Sequence, residues 1–242
     1  MQKGFFFAME YPLYHLRDIT PEQQADLTAY LSEFLLSERY QRLQEVLNLR
    51  TRHLTVVLED LFQTQNISAV LRTCECYGVQ DVYVMEGDNE FRIHNAISMG
   101  ADKWLTLHNF PHSPTSKADC IRELKQQGYK VVTTLPSENS YFIDQLPIEE
   151  KTAFLFGTEL SGLSEEVIAL ADYSVKIPMY GFTESFNISN SVAILVSHFV
   201  EKVRKSSVNW AFTEDEKAEL LFEWLQKSIK KPHLIIENYL KK

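Results

Sequence analysis

Apolar positions from Leu54 onward fall into short β-branched runs that alternate with stretches of helical periodicity. The pattern predicts six strands: Leu54–Leu58, Val82–Met85, Trp104–Leu107, Lys130–Thr134, Ala153–Phe156 and Ser174–Ile177. It also predicts helices between some of these strands: Ile67–Tyr77, Ser116–Gln127 and Ser164–Ala171. Gly78 and Gly128 follow two of these helices, as is common at helical C-termini. This alternation predicts an α/β fold with a mostly parallel sheet and helices on both faces.

Helical patterns also flank the alternating segment. Thr20 is a suitable N-cap, Pro21 suits the first helical position, and the apolar residues that follow predict one helix over residues 20–50. A long apolar helix is predicted over Asn187–Lys205, and a two-helix tail lies beyond it, starting at Thr213 and Pro232. The sequence therefore predicts three parts, which are an N-terminal helical extension (1–53), a central domain (54–205) and a C-terminal helical tail (206–242).

Composition is that of an ordinary globular protein, with 45% hydrophobic and 24% charged residues. The early apolar run Phe5–Met9 is too short for a secretory signal core or a membrane span, so we expect a cytoplasmic protein with no membrane association. Met9 is a second candidate for the first residue. The three cysteines contain no CxxC pair, which indicates neither a disulfide framework nor a zinc site, and we expect no metal.

The net charge of −9 argues against a nucleic-acid partner, because binding to a polyanion relies on Lys and Arg. The acidic excess is concentrated in the middle of the chain, however, and basic residues cluster on both sides of it. These are the candidate RNA-binding residues: Arg39, Arg42, Arg50 and Arg52 before the core, and Lys202, Arg204 and Lys205 after it. A solvated helix surface is the alternative interpretation of the same charges.

Two loops after predicted strands carry polar residues that suggest a site, since open α/β sheets bind ligands beyond the carboxyl ends of their strands. In the first loop, Asn66 precedes a predicted helix, where capping is an alternative role, and Arg72 lies on that otherwise apolar helix. The second loop contains Gly157, Glu159 and Gly162. A structural turn explains the two glycines but explains the acidic Glu159 less readily. No Lys-Ser/Thr pair follows, which excludes a P-loop.

A third loop connects the strand that ends near Ile177 to the long helix. It contains Pro178, Met179 and Gly181, and the helix then begins within a group of Ser and Asn residues that includes Ser185 and Asn187. One helix cap needs only one such residue. The surplus indicates a role beyond capping.

These three blocks, in this order and at these separations, resemble the motifs of the SpoU/TrmH family of RNA ribose methyltransferases over residues 54–200. Residues 66–75 match the first motif. Gly157–Glu159 with Gly162 matches the second, and residues 177–179 with 185–189 match the third. The sequence departs from the family at Phe186, where Leu is usual, and at Asn190, where a small residue is usual.

The resemblance implies a trefoil-knotted α/β fold, S-adenosylmethionine as cofactor, and methyl transfer to a ribose 2′-hydroxyl of RNA without a metal. Arg72 would be the central catalytic residue. Its positioning partners, which would also position the substrate, are Asn66, Glu159, Ser185 and Asn187. The residues that would hold the cofactor are Thr134, Gly157, Ile177, Met179 and Phe186. A homodimer is also implied, with the long helix at its interface and an apolar seam of Val192, Leu195, Val196 and Phe199.

The helical extensions are most similar to the subgroup of this family that methylates guanosine 18 in the tRNA D-loop. A 23S rRNA ribose methyltransferase is the first alternative. A catalytically silent RNA-binding member is the second, and the complete set of catalytic candidates argues against it. A nucleotide-dependent oxidoreductase would share the α/β pattern, but no glycine fingerprint follows the first strand.

Overall fold

The computed structural model describes residues 13–14, 19–89, 91–135, 137–159 and 161–241. The early apolar run and Met9 lie outside these ranges. The chain divides into two compact units, one of residues 51–210 and one of residues 1–50 together with 211–242. The terminal segments, predicted as two separate parts, therefore belong to a single unit.

The central unit is built on one sheet. Its strands are β1 (Leu54–Glu59), β2 (Asp81–Met85), β3 (Thr106–Phe110), β4 (Lys130–Thr134), β5 (Tyr141–Phe142), β6 (Thr152–Phe156) and β7 (Tyr173–Lys176). In the described chain the strand order is β3-β2-β1-β6-β4-β7-β5, and every neighbouring pair is parallel. Val57 of the central strand β1, for example, lies between Tyr83 and Leu155. The predicted parallel α/β sheet is confirmed.

Helices cover both faces of this sheet. The helices of the central unit are α3 (Thr64–Cys76), α4 (Asn95–Ser98), α5 (Ser116–Gln126), α6 (Glu165–Ala169) and α7 (Ile188–Arg204). Successive strand residues point to opposite faces, so Val56 packs in a core cluster with residues of α3 and α7, whereas Val57 packs in a second cluster with residues of α5 and α6. The connecting loops lie at the carboxyl ends of the strands.

Several element boundaries differ from the predictions, most of all those of β3 and α3. Strand β3 begins at Thr106, because Ala101–Trp104 forms a 3₁₀ helix rather than the start of the strand. Helix α3 begins at Thr64, so Asn66 is its third residue and Gln63 occupies the N-cap position. The interpretation of Asn66 as a simple helix cap is therefore wrong.

The predicted dimer seam on α7 is also wrong. Its members are at most 2% exposed in the single chain: Val192, Leu195, Val196 and Phe199. They belong to the core cluster, where Phe199 packs edge-on against Phe154 with ring centroids 5.3 Å apart. An amphipathic helix has one apolar stripe, and here α3 and side chains of the sheet such as Phe154 cover it. The exposed side of α7 instead carries Ile194, His198 and Glu201.

The terminal unit consists of four helices: α1 (Pro21–Ser32), α2 (Ser37–Leu47), α8 (Glu214–Ser228) and α9 (Pro232–Leu240). Thr20 caps α1 as predicted, through a reciprocal pair of hydrogen bonds with Gln23. The single helix predicted over residues 20–50 is in fact two helices. The break lets Leu31 of α1 and Leu43 of α2 both be buried, and both helices pack against α8.

Across the described ranges, no helix has the length and apolar content that a bilayer crossing requires. In the same residues, no group of His, Cys, Asp and Glu is arranged to hold a metal ion. Cys74, Cys76 and Cys120 are not joined in disulfides. Burial raises the pKa of the Cys120 thiol, which keeps it in the neutral form.

The placement of Phe199 predicts a large effect of Phe199→Ala on stability. Removing a fully packed phenylalanine should lower the free energy of unfolding, measured by urea denaturation, by about 3–5 kcal/mol. Ile168→Ala is the control, because Ile168 is 38% exposed on α6, and it should cost under about 1 kcal/mol. If Phe199→Ala lost self-association but kept the unfolding free energy of the wild type, Phe199 would be an interface residue and not a core residue.

Candidate active site

A cavity of about 460 Å³ opens at the carboxyl ends of β4, β6 and β7. Apolar side chains form much of its wall, among them Leu163, Val175 and Leu195. All five residues that the sequence assigned to a cofactor line it: Thr134, Gly157, Ile177, Met179 and Phe186. Its size falls within the range of about 300–1,000 Å³ that is typical of small-molecule sites.

The polar groups of this cavity suit a ligand that carries positive charge. Two carboxylates, Glu159 and Glu184, lie on its wall. The one lysine among the lining residues, Lys176, donates to the backbone carbonyl of Ser137 at 3.0 Å. Apolar walls favour an aromatic ring, and carboxylates favour a cationic group. S-adenosylmethionine combines an adenine ring with a sulfonium and an ammonium group, so the residues present fit the expected cofactor.

The loop after β6 is closed on itself by paired backbone hydrogen bonds. The amide of Thr158 donates to the carbonyl of Gly162, and the amide of Gly162 donates to the carbonyl of Thr158, both at 3.0 Å. Gly162 has φ +68°, a conformation that glycine adopts without strain. A Cβ on Gly157 would lie 2.1 Å from the Gly162 carbonyl oxygen. Backbone geometry therefore requires both glycines, as the structural-turn interpretation expected, and the tight turn presents Glu159.

Glu159, which belongs to the second sequence block, accepts hydrogen bonds from side chains of the other two blocks. Its Oε1 atom accepts from Nδ2 of Asn66 and from Nδ2 of Asn187, each at 2.8 Å. Its Oε2 atom accepts from Nε2 of Gln63 at 3.3 Å. Asn66 and Asn187 are also bonded to each other at 3.2 Å. We call Glu159, Asn66, Asn187 and Gln63 the amide–carboxylate cluster.

Asn187 explains part of the surplus of Ser and Asn at the third loop. Its Oδ1 atom accepts from the backbone amide of Ser189 at 2.9 Å, which makes it the N-cap of α7. Its Nδ2 atom meanwhile donates into the cluster. The same side chain thus starts a helix and joins that helix to Glu159. Ser185, two residues earlier, lines the cavity.

Arg72 lies apart from the cluster. It is exposed on α3, six residues beyond Asn66 and so about 9 Å further along the helix axis. It makes no side-chain hydrogen bond or ion pair with any residue in the described part of the single chain. The structure therefore brings Asn66, Glu159 and Asn187 together, places Ser185 on the same cavity, and leaves Arg72 outside both.

Sequence reasoning missed two residues that shape this region. Gln63 was not considered because α3 was expected to begin later. Glu59 ends β1, is 2% exposed, accepts from the backbone amide of Ser164 at 3.0 Å and pairs with Lys117 at 2.6 Å. An acidic residue at the end of a wholly buried strand is the signal that would have identified it.

The candidate RNA-binding residues of the terminal unit differ in exposure. Arg39 and Arg42 are exposed on α2, and Arg42 forms a surface ion pair with Glu45 at 3.3 Å, which is worth little in water. Arg50 is 1% exposed, and its guanidinium lies 5.2 Å from the centre of the Trp224 ring. The prediction that Arg50 contacts RNA is therefore wrong, because its side chain is part of the packed interior of the unit.

Most basic candidates of the central unit already contact other groups. Arg52 pairs with the buried carboxylate of Asp81 at 2.8 Å. Lys202 donates to two backbone carbonyls, at 2.8 and 2.9 Å, and Arg204 lies 4.4 Å from the centre of the Trp210 ring. Lys205 is 77% exposed and forms a surface ion pair with Glu201 at 2.9 Å, which is worth little in water. Of these, Lys205 has the accessibility that a phosphate contact needs.

Comparison with known proteins agrees with this geometry. Residues 53–197 match the model of the SpoU rRNA Methylase family. The chain is 42% identical over 208 residues to a tRNA (guanosine(18)-2′-O)-methyltransferase of Borreliella burgdorferi, a match that covers 86% of this chain and 93% of the relative.

Two solved structures share the fold. The A. aeolicus TrmH/SpoU tRNA modifying enzyme aligns with a TM-score of 0.72 and 27% identity, over 80% of this chain and 98% of the other. The SpoU methyltransferase AviRb from Streptomyces viridochromogenes, solved with the cofactor AdoMet, aligns with a TM-score of 0.56 and 23% identity, over 67% and 65% of the two chains.

The closed loop predicts that Gly157→Ala impairs the binding of S-adenosylmethionine. The added Cβ cannot coexist with the Gly162 carbonyl, so the loop must open and the cavity wall must change. We expect affinity measured by calorimetry to fall about tenfold or more. Gly181→Ala is the matched control, because a Cβ there meets nothing within 4 Å and affinity should be kept. Equal affinities for the two variants would contradict the role of this turn.

Proposed function

The chain belongs to the SpoU rRNA methylase family, and we propose that it transfers a methyl group from S-adenosylmethionine to the ribose 2′-hydroxyl of guanosine 18 in tRNA. The observation that carries the substrate is the 42% identity to a tRNA (guanosine(18)-2′-O)-methyltransferase over 93% of that relative. The cavity and the amide–carboxylate cluster, which unite the three motif blocks, support the reaction. A tRNA substrate would place the protein in the cytoplasm.

Five cavity residues would hold the cofactor: Thr134, Gly157, Ile177, Met179 and Phe186. The hydroxyl of Thr134 donates to the carbonyl of Leu155 at 2.9 Å, so this residue contributes to the wall while its own polar group is satisfied. When bound, S-adenosylmethionine supplies a methyl group that is activated by its attachment to a sulfonium. The protein has to orient the ribose oxygen in line with that methyl group and to exclude water.

The ribose hydroxyl must also lose a proton. Arg72 is the proposed catalytic residue, although its guanidinium stays protonated in nearly all protein settings. In the first form of the mechanism, Arg72 binds the substrate phosphate and polarises the hydroxyl, and the proton leaves through that phosphate or through water. In the second form, Arg72 accepts the proton directly. Asn66, Glu159, Ser185 and Asn187 position the substrate in either form.

A homodimer is part of the proposal. Tyr180 is 95% exposed and Phe182 fully exposed in the loop beside the cavity, and Phe62 is 78% exposed just before α3. Grouped apolar side chains on a surface mark sites that another molecule covers, and Tyr180 and Phe182 lie two residues apart in one loop. A second copy that covers them would bury apolar area and would bring an outward-facing Arg72 close to a cavity. Because the apolar side of α7 belongs to the core, its exposed side, with Ile194, is the proposed contact.

We also propose the trefoil knot, which is supported by the shared cavity wall and by the likeness to the family. Loops that follow β4, β6 and β7 share one cavity wall. Loops threaded through one another would hold such a wall rigid. The knot follows from the likeness to the family and not from general rules of topology, which disfavour threaded chains.

The function is tested by incubating purified protein with labelled S-adenosylmethionine and unmodified tRNA transcripts that carry guanosine 18. We expect label in the ribose of that nucleotide. A transcript with 2′-deoxyguanosine at position 18 is the control, because it lacks only the accepting oxygen, and it should stay unlabelled. A 23S rRNA transcript is included because the family is named for rRNA. Label in rRNA alone would replace the substrate assignment, and label in neither RNA would end it.

The same assay tests Arg72. Arg72→Ala should abolish turnover while calorimetry still detects cofactor binding, since Arg72 does not line the cavity. Arg122→Ala is the control, because Arg122 is an exposed arginine on α5 that pairs with Asp119. Near wild-type methylation by Arg72→Ala would remove this residue from the mechanism.

The exposure of Arg39 and Arg42 predicts a role in binding tRNA. Replacing both by Ala should weaken tRNA affinity and reduce the slope of log affinity against log salt concentration by about 1.5, as expected for the loss of two phosphate contacts. Filter binding at several salt concentrations measures both quantities, with Arg122→Ala as the comparison. An unchanged slope would assign the two arginines to a solvated helix surface.

A further inference from the structure

Gln63 occupies the N-cap position of α3 but does not cap the helix with its side chain. Its side chain points instead to the amide–carboxylate cluster. Nε2 of Gln63 donates to Oε2 of Glu159 at 3.3 Å, and Oε1 of Gln63 accepts from Nδ2 of Asn66 at 3.0 Å. Since Nδ2 of Asn66 also donates to Oε1 of Glu159, the three side chains form a closed ring of hydrogen bonds.

We propose that Gln63 is a positioning residue of the active site, which holds the carboxylate of Glu159 and the amide of Asn66 in their working orientations. The inference rests on the proposed function. It adds a residue that precedes the first motif block and that the likeness to the family does not include.

Gln63 restricts two neighbouring side chains through its donor and its acceptor. A carboxylate has two oxygens, and rotation of the Glu159 side chain would exchange or break the bonds to Asn66 and Asn187 at Oε1. Gln63 engages the other oxygen, so rotation also costs that bond. The amide of Asn66 donates to Glu159 and accepts from Asn187, which already favours one orientation. Gln63 adds an acceptor for the same Nδ2 atom, so a flip of the Asn66 amide would lose this bond as well.

Position along the chain makes this bond useful. Gln63 lies where the loop from β1 enters α3, while Glu159 lies on the closed turn after β6. Their contact ties the start of α3 to the cavity wall. Without it, Asn66 would be the one residue of α3 that is hydrogen-bonded to Glu159 within the described ranges. Misplacement of reacting groups by a fraction of an ångström lowers turnover more than it lowers binding.

Gln63→Glu tests the contact with the smallest change in shape. The new carboxylate would face Glu159 across the former hydrogen bond, and two adjacent carboxylates raise the pKa at which the pair takes up its first proton. The pair is therefore repulsive at high pH, and a shared proton restores an O–H donor as the pH falls. We expect kcat on tRNA, relative to wild type at the same pH, to be reduced about fivefold or more at pH 8 and to recover toward pH 6.

Gln65→Glu is the matched control. Gln65 is exposed in the first turn of the same helix and makes no side-chain hydrogen bond with a residue that the structure describes. It undergoes the same change of charge, and its kcat relative to wild type should not vary with pH. A third variant, Gln63→Ala, removes the contacts without adding charge and should lower kcat while leaving the KM for S-adenosylmethionine within about twofold.

Thermal unfolding of the same variants tests whether the contact between Gln63 and Glu159 forms, independently of whether it affects turnover. The Tm of Gln63→Glu should lie further below wild type at pH 8 than at pH 6. A pH-dependent Tm with a kcat equal to that of Gln65→Glu would leave the contact in place and overturn the positioning role. If neither kcat nor Tm of Gln63→Glu differs from the control, the whole inference is wrong. A wild-type protein that fails to methylate tRNA overturns the proposed function itself, which is a different result from a wild type that methylates and a variant that matches it.

Discussion

The carboxylate of Glu159 is the interaction on which the site depends. One oxygen accepts from Asn66 on α3 and from Asn187 at the start of α7, so a single atom joins segments that are far apart in sequence. Charge-assisted hydrogen bonds of this kind are stronger than bonds between neutral groups. Replacing Glu159 by an apolar residue would leave the amide of the buried Asn66 with one partner fewer.

The position of Glu159 is itself determined by backbone geometry. Gly157 has no room for a Cβ, and Gly162 has a positive φ, so the turn between them has little freedom. The buried Glu59 anchors the far side of the same segment by accepting from the amide of Ser164 and pairing with Lys117. A rigid turn, held at both ends, presents the carboxylate to the two asparagines. The cavity wall and the cluster are thus consequences of one local structure.

Sequence reasoning predicted the sheet because its signals are local. Strand β4 has the predicted bounds, since Lys130–Thr134 is a β-branched run that follows a helix ended by Gly128. The three motif blocks were identified by resemblance. The second and third line one cavity, and Asn66 of the first is joined to them through Glu159, whereas Arg72 lies outside. Errors arose where the outcome depends on distant partners. The break between α1 and α2 depends on α8, and the burial of Arg50 depends on Trp224, more than 170 residues later in the chain.

The α7 error has a different physical origin. An apolar stripe at helical spacing predicts that one side of the helix is covered, but it does not reveal whether the same chain or a second copy covers it. The sequence is equally consistent with Val192 and Phe199 in the core or at an interface, and the structure places them in the core. The placement of Asn66 shows a similar limit, because the first residue of a helix is hard to predict from sequence. The structure begins α3 at Thr64, and this earlier start is what identifies Gln63 as the residue at the N-cap position.

The charge distribution is consistent with the two binding steps of the proposed reaction, which are binding of a cationic cofactor and binding of a polyanionic RNA. A cavity for a sulfonium gains from nearby carboxylates, and Glu159 and Glu184 lie on its wall. Phosphate contacts require exposed cations, and Arg39 and Arg42 are exposed on the terminal unit, whereas Arg52 and Lys202 of the central unit are only partly exposed. The net charge of −9 is therefore a sum over two surfaces: a cavity that needs acidic groups and an RNA-binding surface that needs basic groups. It does not count against an RNA substrate, because binding depends on the local density of accessible cations and not on the sum over the chain.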